Sequence, residues 1–162
     1  MEIFPILNGN INLKHSIQGL IKSHDLINAE LDMRTAYKNK QYKKVINILN
    51  EKLNVGVIGH GIIKAKALLA LGQTNEAFNV AWKSYESRIF FANKDNAPFP
   101  PVEIQIIKNA ITENTPQYRI KQYMRWLNTK IEDYKKNNKY SDANNALAEY
   151  NRVIRLIKKE QK

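Results

Sequence analysis

The sequence predicts an all-α protein built from stacked antiparallel helical hairpins, and three observations carry that prediction. Apolar residues recur at three- and four-residue spacings along most of the chain. Strand-like alternation is nearly absent, and the one Asn-Gly pair, Asn8-Gly9, precedes a helical segment instead of joining two β-branched runs. Three polar turns resemble one another and divide the helical segments. With 162 residues, 43% of them hydrophobic and 25% charged, the chain can bury a core and reads as a single all-helical domain, 1–162.

Residues 1–10 read as an irregular lead-in. Asn12 is placed to cap a short helix with Leu13, Ile17, Leu20 and Ile21 on its apolar face. A second helix is predicted from Ser23 or Asp25 to Asn39, with Leu26, Ile27, Leu31, Ala36 and Tyr37 inside. After the turn Asn39-Lys40-Gln41 the next helix carries Val45, Ile46, Ile48, Leu49 and Leu53. Gly56, Gly59 and Gly61 punctuate a connection, since glycine ends a helix and lets the chain turn. Ile62–Leu71 is apolar on nearly every side and predicts a covered helix, with Gly72 just past its end. Thr74 or Asn75 is placed to cap the next helix, whose inner stripe is Ala77, Phe78, Ala81, Trp82, Tyr85 and Ile89.

Residues 94–101 form the clearest break, a connection containing Pro98, Pro100 and Pro101. Pro101 suits a first helical turn, and Val102, Ile106, Ile107, Ala110 and Ile111 suit the inner face that follows. Thr115 and Pro116 are placed as N-cap and first residue of a long helix with Ile120, Tyr123, Met124, Leu127, Ile131 and Tyr134 on one side. Ser141 is placed to cap the last helix, with Ala143, Ala146, Leu147, Tyr150, Val153, Ile154 and Ile157 inward. Residues 117–159 thus form a long C-terminal hairpin.

The three turns read Asn-Lys-Gln-Tyr-Lys-Lys-Val-Ile from 39, Leu-Gly-Gln-Thr-Asn-Glu-Ala-Phe from 71 and Asn-Asn-Lys-Tyr-Ser-Asp-Ala-Asn from 137. Each places a small or β-branched residue early in its second helix, at Val45, Ala77 and Ala143, spaced by 32 and 66 residues. This pattern resembles the tetratricopeptide repeat family over residues 25–90 and, less closely, 117–157. In the middle unit Ala65, Gly72 and Ala77 stand at the small-residue and turn-glycine positions. The chain departs from the family at Gly61 and Lys64, where tryptophan and leucine are usual, at Lys40, where glycine is usual, and in lacking a closing proline. The resemblance implies a curved stack with a concave surface for partner peptides; an irregular helical bundle with ordinary turn chemistry is the alternative architecture.

The chemistry-bearing residues do not assemble into a catalytic pattern. The chain has no cysteine, and His15, His24 and His60 lack metal-ligand spacing, so no metal or cofactor is expected. Gly56, Gly59 and Gly61 spell G-x-x-G-x-G, not the dinucleotide fingerprint, and read as an interhelical turn. Glu132 and Asp133 are neighbours that point apart on a helix, and no serine sits in a nucleophile elbow. A non-enzymatic role follows. The N-terminus carries no secretory pattern, and no run approaches the roughly 18 apolar residues of a membrane span, which fits a cytoplasmic setting.

Charge is the functional signal. Residues 117–162 hold 12 Lys and Arg against 5 Asp and Glu, most of the net +11. On 117–136, Lys121, Arg125, Lys135 and Lys136 lie away from the apolar stripe, while Trp126 sits at its shoulder in line with Arg119 and Lys130. On the last helix Arg152, Arg155 and Lys159 follow the outer face. A flat aromatic among cations can stack on a base or hold an acidic segment; the same residues also suit an ordinary charged helix face. Two functions compete: an interaction module offering a helical-repeat surface to a protein partner, an acidic one, and a nucleic-acid-binding protein that uses the basic C-terminal helices. A membrane-surface role for the last helix is weaker, because its Ala-rich side is needed for packing.

Overall fold

The structure is a computed structural model that describes residues 4–53, 59–92 and 97–159, with side chains described from residue 16 onward. Among the described residues there are seven helices and no strand: α1 (Phe4–Lys38), α2 (Tyr42–Glu51), α3 (His60–Ala70), α4 (Thr74–Ala92), α5 (Val102–Ala110), α6 (Gln117–Lys136) and α7 (Tyr140–Lys159). The all-α class is as the periodicity predicts. The chain divides into two compact units, residues 1–55 and 56–162. The division falls in the glycine-punctuated connection, of which 54–58 lie outside the described residues.

The first unit is the α1–α2 hairpin. Helix α1 runs unbroken through most of the expected irregular lead-in and through both helices predicted on either side of Ser23. Pro5 falls in the first turn, where its missing N–H leaves no helical hydrogen bond unmade. The face of α1 that packs on α2 also differs from expectation. Ala29, Met33 and Ala36 are buried with Val45, Ile48, Leu49 and Leu53, whereas Leu26, Ile27 and Leu31 are each at least half exposed. Small residues on α1 let the two backbones approach closely, so the alanine side, not the leucine side, meets α2.

The three similar turns adopt one geometry. Lys40, Gly72 and Asn138 occupy the left-handed region at φ 58°, 76° and 58°. The N–H groups of Gln41, Gln73 and Lys139 donate to the carbonyls of Ala36, Leu68 and Tyr134 at 2.8, 2.9 and 2.8 Å. Those of Lys40, Gly72 and Asn138 donate to Tyr37, Leu69 and Lys135. This is the double hydrogen bond of a Schellman helix end, which satisfies carbonyls that the helix leaves open. The carbonyls of Gln41, Gln73 and Lys139 then accept from Val45, Ala77 and Ala143, starting the next helix at once. All three of those donor residues are buried.

The second unit begins with the α3–α4 hairpin. A Cβ on Gly61 would lie 2.9 Å from Ser84 Oγ, so a bare backbone is what allows α3 this near to α4. Helix α5 packs on both α3 and α4, and α6 and α7 form the last hairpin. The core runs through Ala65, Leu68, Ala77, Phe78 and Ala81, then Ile104, Ile106 and Ile107, and then Ile120, Tyr123, Leu127, Ile131, Ala143, Ala146 and Val153. Val102 and Leu147, expected inward, are 45% and 43% exposed. The caps differ as well. Helix α6 starts after Pro116, and Thr115 Oγ1 accepts from the N–H of Thr112 at 2.9 Å instead of capping α6. Helices α4 and α7 already include Thr74 and Tyr140.

The described part of the Pro-rich connection is bound down. Tyr134 Oη donates to the carbonyl of Ala97 at 3.2 Å, and the N–H of Phe99 donates to Asp142 Oδ1 at 3.0 Å. Phe99 is buried and Pro100 follows a cis peptide bond. Residues 97–101 are thus anchored on the α6–α7 hairpin, and 93–96 lie outside the described residues.

A side chain in the left-handed region costs about 1 kcal/mol that glycine avoids. Lys40→Gly is therefore expected to raise stability by about 0.5–1 kcal/mol in denaturant unfolding. Gly72→Ala is expected to lower it by about 1 kcal/mol. A destabilising Lys40→Gly together with a stabilising Gly72→Ala would show that the turns do not hold this geometry in solution.

Candidate interaction surface

The ten cationic and aromatic residues singled out on the last two long helices separate into two groups with different work. Arg119, Trp126 and Arg152 are tied into the interior. Lys121, Arg125, Lys135, Lys136, Arg155 and Lys159 face solvent, with Lys130 half-buried between the groups.

Arg119 is 8% exposed. Its Nε donates to Asn79 Oδ1 at 2.9 Å, and its guanidinium lies over the Phe78 and Tyr118 rings at 5.8 and 5.3 Å. It fastens α6 to α4. Trp126 does the same two turns on. Its Nε1 donates to Tyr85 Oη at 3.1 Å, and its ring meets Tyr85, Trp82, Tyr123 and Phe99 at centroid distances of 5.4, 6.3, 6.3 and 6.4 Å. Pairs of this kind contribute about 0.5–1.5 kcal/mol each beyond burial. Trp126 stands at the centre of an aromatic seam between α4 and α6. Lys130 Nζ sits 6.0 Å from the Trp126 centroid at the edge of that seam.

Arg152 completes a buried network. Glu149 is 3% exposed. It accepts from Arg152 Nη2 at 2.7 Å and Nε at 2.8 Å and from Tyr123 Oη at 3.1 Å, with Lys108 Nζ 4.0 Å away. Arg152 Nη2 also donates to the carbonyl of Lys108 at 3.0 Å. Burial first, and then the neighbouring Glu149 charge, push the Tyr123 hydroxyl far above its ordinary value. The hydrogen bonds to Glu149 hold the Arg152 guanidinium more firmly protonated than usual. A second pair, Arg88 Nε to Glu103 Oε1 at 2.7 Å, fixes α5 on α4 around a carboxylate that is 2% exposed.

The outward cations form two sets. Lys121, Arg125 and Lys136 project from α6 on the side opposite Ile120, Leu127 and Ile131, and Lys135 pairs with Glu132 at 3.4 Å. Arg155 and Lys159 lie on α7 beside Arg152 and line a cleft of about 760 Å³. Its other walls are Thr74 at the start of α4, the loop Ile111 to Asn114, and Leu156. Arg155 and Lys159 have no ion-pair partner among the described residues. With Arg152 paired to Glu149, the cleft sets two further cations, Arg155 and Lys159, against one carboxylate, Glu113, and the N-terminus of α4 adds its positive dipole end at Thr74. Ile111 is buried and Leu156 half-buried, which gives the cleft an apolar floor.

Thr74 and the 111–114 loop could not be assigned to this surface from the sequence. They lie far from α7 along the chain and carry no motif; only packing joins them. Among the described residues, His24 is exposed on α1 next to Asn28 and His60 is buried at the start of α3, while the side chain of His15 lies outside the described set. No group of three or more His, Asp or Glu among the described residues could hold a metal ion. No described helix is long and apolar enough to cross a membrane. Compared with models of protein families, with curated proteins and with solved structures, the chain matches none.

Removing Arg152 strands a buried carboxylate. Complete burial of such a pair puts the loss at about 3–5 kcal/mol; because the Arg152 side chain is 31% exposed, Arg152→Ala is expected to cost about 2–3 kcal/mol. Arg155→Ala should fall within about 0.5 kcal/mol of wild type by the same unfolding measurement. Tyr123 yields a pH test. Its folded-state value is raised above the ordinary 10.0, so its contribution is complete below pH 10.0 and declines above it as the unfolded chain ionises. Stability should therefore fall by up to about 1.4 kcal/mol per pH unit more steeply in wild type than in Tyr123→Phe above that point. Parallel curves would contradict the buried neutral phenol.

Proposed function

We propose that this protein is a non-enzymatic interaction module whose α7 cleft takes an acidic segment of a protein partner. The supporting observation is the pairing of Arg155 and Lys159, exposed and unpartnered among the described residues, with the apolar floor of Ile111 and Leu156. A concave site with a few charged groups over an apolar base suits a peptide in which carboxylates alternate with apolar side chains. The Ile111–Asn114 loop lines it as well. The shared turn geometry of the three hairpins supports reading them as degenerate tetratricopeptide-like units, and a cytoplasmic setting belongs to the same proposal.

Nucleic-acid binding is the second reading, favoured by the outward row Lys121, Arg125 and Lys136. Without stacking from Trp126, which is held in the aromatic seam, that row offers phosphate contacts alone. Such binding would be sequence-independent and steeply salt-sensitive.

Fluorescence anisotropy with an acidic Glu/Leu peptide and with a single-stranded oligonucleotide separates the two. Arg155→Glu with Lys159→Glu is expected to weaken peptide binding at least about tenfold, the equivalent of about 1.4 kcal/mol, and Lys121→Glu with Arg125→Glu to leave it unchanged. Tight oligonucleotide binding lost only in the Lys121/Arg125 variant would instead establish the second reading.

A further inference from the structure

Helix α1 has two apolar faces, and its own hairpin covers one of them. Ala29, Met33 and Ala36 lie against α2. Roughly opposite them run Ile17, Leu20, Ile21, Ile27 and Leu31, exposed at 49%, 69%, 56%, 59% and 57%. Every residue from 16 to 28 is exposed, so no described residue of the first unit covers this stretch of helix. A helix standing alone in water is marginal even with favourable composition, and this one includes Gly19, Ser16, Ser23 and Asn28.

The open face has the period of a coiled-coil seam. Ile17, Leu20, His24, Ile27 and Leu31 are spaced 3, 4, 3 and 4 residues apart, which places them at successive a and d positions of a heptad. In the sequence, the same spacing continues upstream through Leu13, Asn10 and Ile6. We propose that α1 pairs with the α1 of a second copy of this chain as a parallel, two-stranded coiled coil.

A seam of this kind is complementary to itself, which singles out a second copy as the occupant. Ile17 at a and Leu20 at d are the β-branched and γ-branched choices that favour two strands, Ile27 at d and Leu31 at a are the reverse, and the polar His24 at a specifies register. The flanking positions do not oppose pairing. Ser16, Ser23, Ile21 and Asn28 are uncharged, and Glu30 is already paired with Arg34 at 2.8 Å on its own helix. The area suffices too. About 100 Å² remains accessible on each of the five apolar side chains, so pairing withdraws about 1,000 Å² in all, the level at which specific interfaces begin. This surface belongs to the first unit and is independent of the α7 cleft.

The test is sedimentation equilibrium of the full chain. The expected species has twice the chain mass of 18.8 kDa. Ile17→Glu with Leu20→Glu should weaken association at least about 100-fold while tryptophan fluorescence of the second unit stays unchanged, and Lys22→Glu should leave the dimer intact. Because the chain lacks cysteine, Leu20→Cys provides a milder probe: parallel strands bring the two thiols together, and oxidation should give a covalent dimer. A wild-type monomer at about 100 μM, a dimer that survives the Glu pair, a trimer, or a dimer that Leu20→Cys does not cross-link would each overturn the proposal.

Discussion

Glu149 sets the constraint around which the second unit is arranged. A carboxylate so deeply buried is tolerable only if every strong acceptor direction is met. The partners come from three places: Tyr123 on α6, Arg152 one turn along α7, and Lys108 near the end of α5, whose carbonyl also takes an Arg152 donor. Rotating α7 about its axis would break the contacts to Tyr123 and Lys108 together, while the Arg152–Glu149 pair, both on α7, would turn with it. The orientation of α7 is therefore specified, and with it the direction in which Arg155 and Lys159 project. Interior electrostatics in this way positions an exterior cleft.

The same reasoning divides the positive charge of the C-terminal hairpin. Arg119 and Arg152 spend their donors on Asn79, Glu149 and a carbonyl, and contribute little to a field felt outside. Arg155, Lys159 and the α6 row remain for partners. The Arg152–Glu149 pair cancels within the sum over residues 117–162, and the Arg119 guanidinium is turned inward on the amide of Asn79, so the outward cations alone make the binding surface. Arginine suits the buried role, since its planar fork meets a carboxylate with two donors at once.

Much of the fold was legible because local chemistry determined it. The turns at 39–41, 71–73 and 137–139 share composition and share geometry, even where Lys40 and Asn138 replace glycine in the left-handed position. What stayed hidden depended on partners distant in sequence. On α1 two apolar stripes compete, and nothing local says that α2 takes the alanine side, which leaves the heptad stripe open. Trp126 fits a basic face when α6 is read alone; only Tyr85, Trp82 and Phe99, brought by other segments, draw it into a seam. The cleft was half visible. Arg155 and Lys159 were legible as an outer cationic pair, but Thr74 and the 111–114 loop reach them through packing alone.

Backbone amide shifts, followed by NMR while the acidic Glu/Leu peptide is titrated into the protein, test the central claim most directly. Perturbations concentrated at Thr74, at Ile111 to Asn114 and at Arg152 to Lys159 are the predicted result. Perturbations along Lys121, Arg125 and Lys136 with the cleft silent, or none at a saturating peptide concentration, would contradict it.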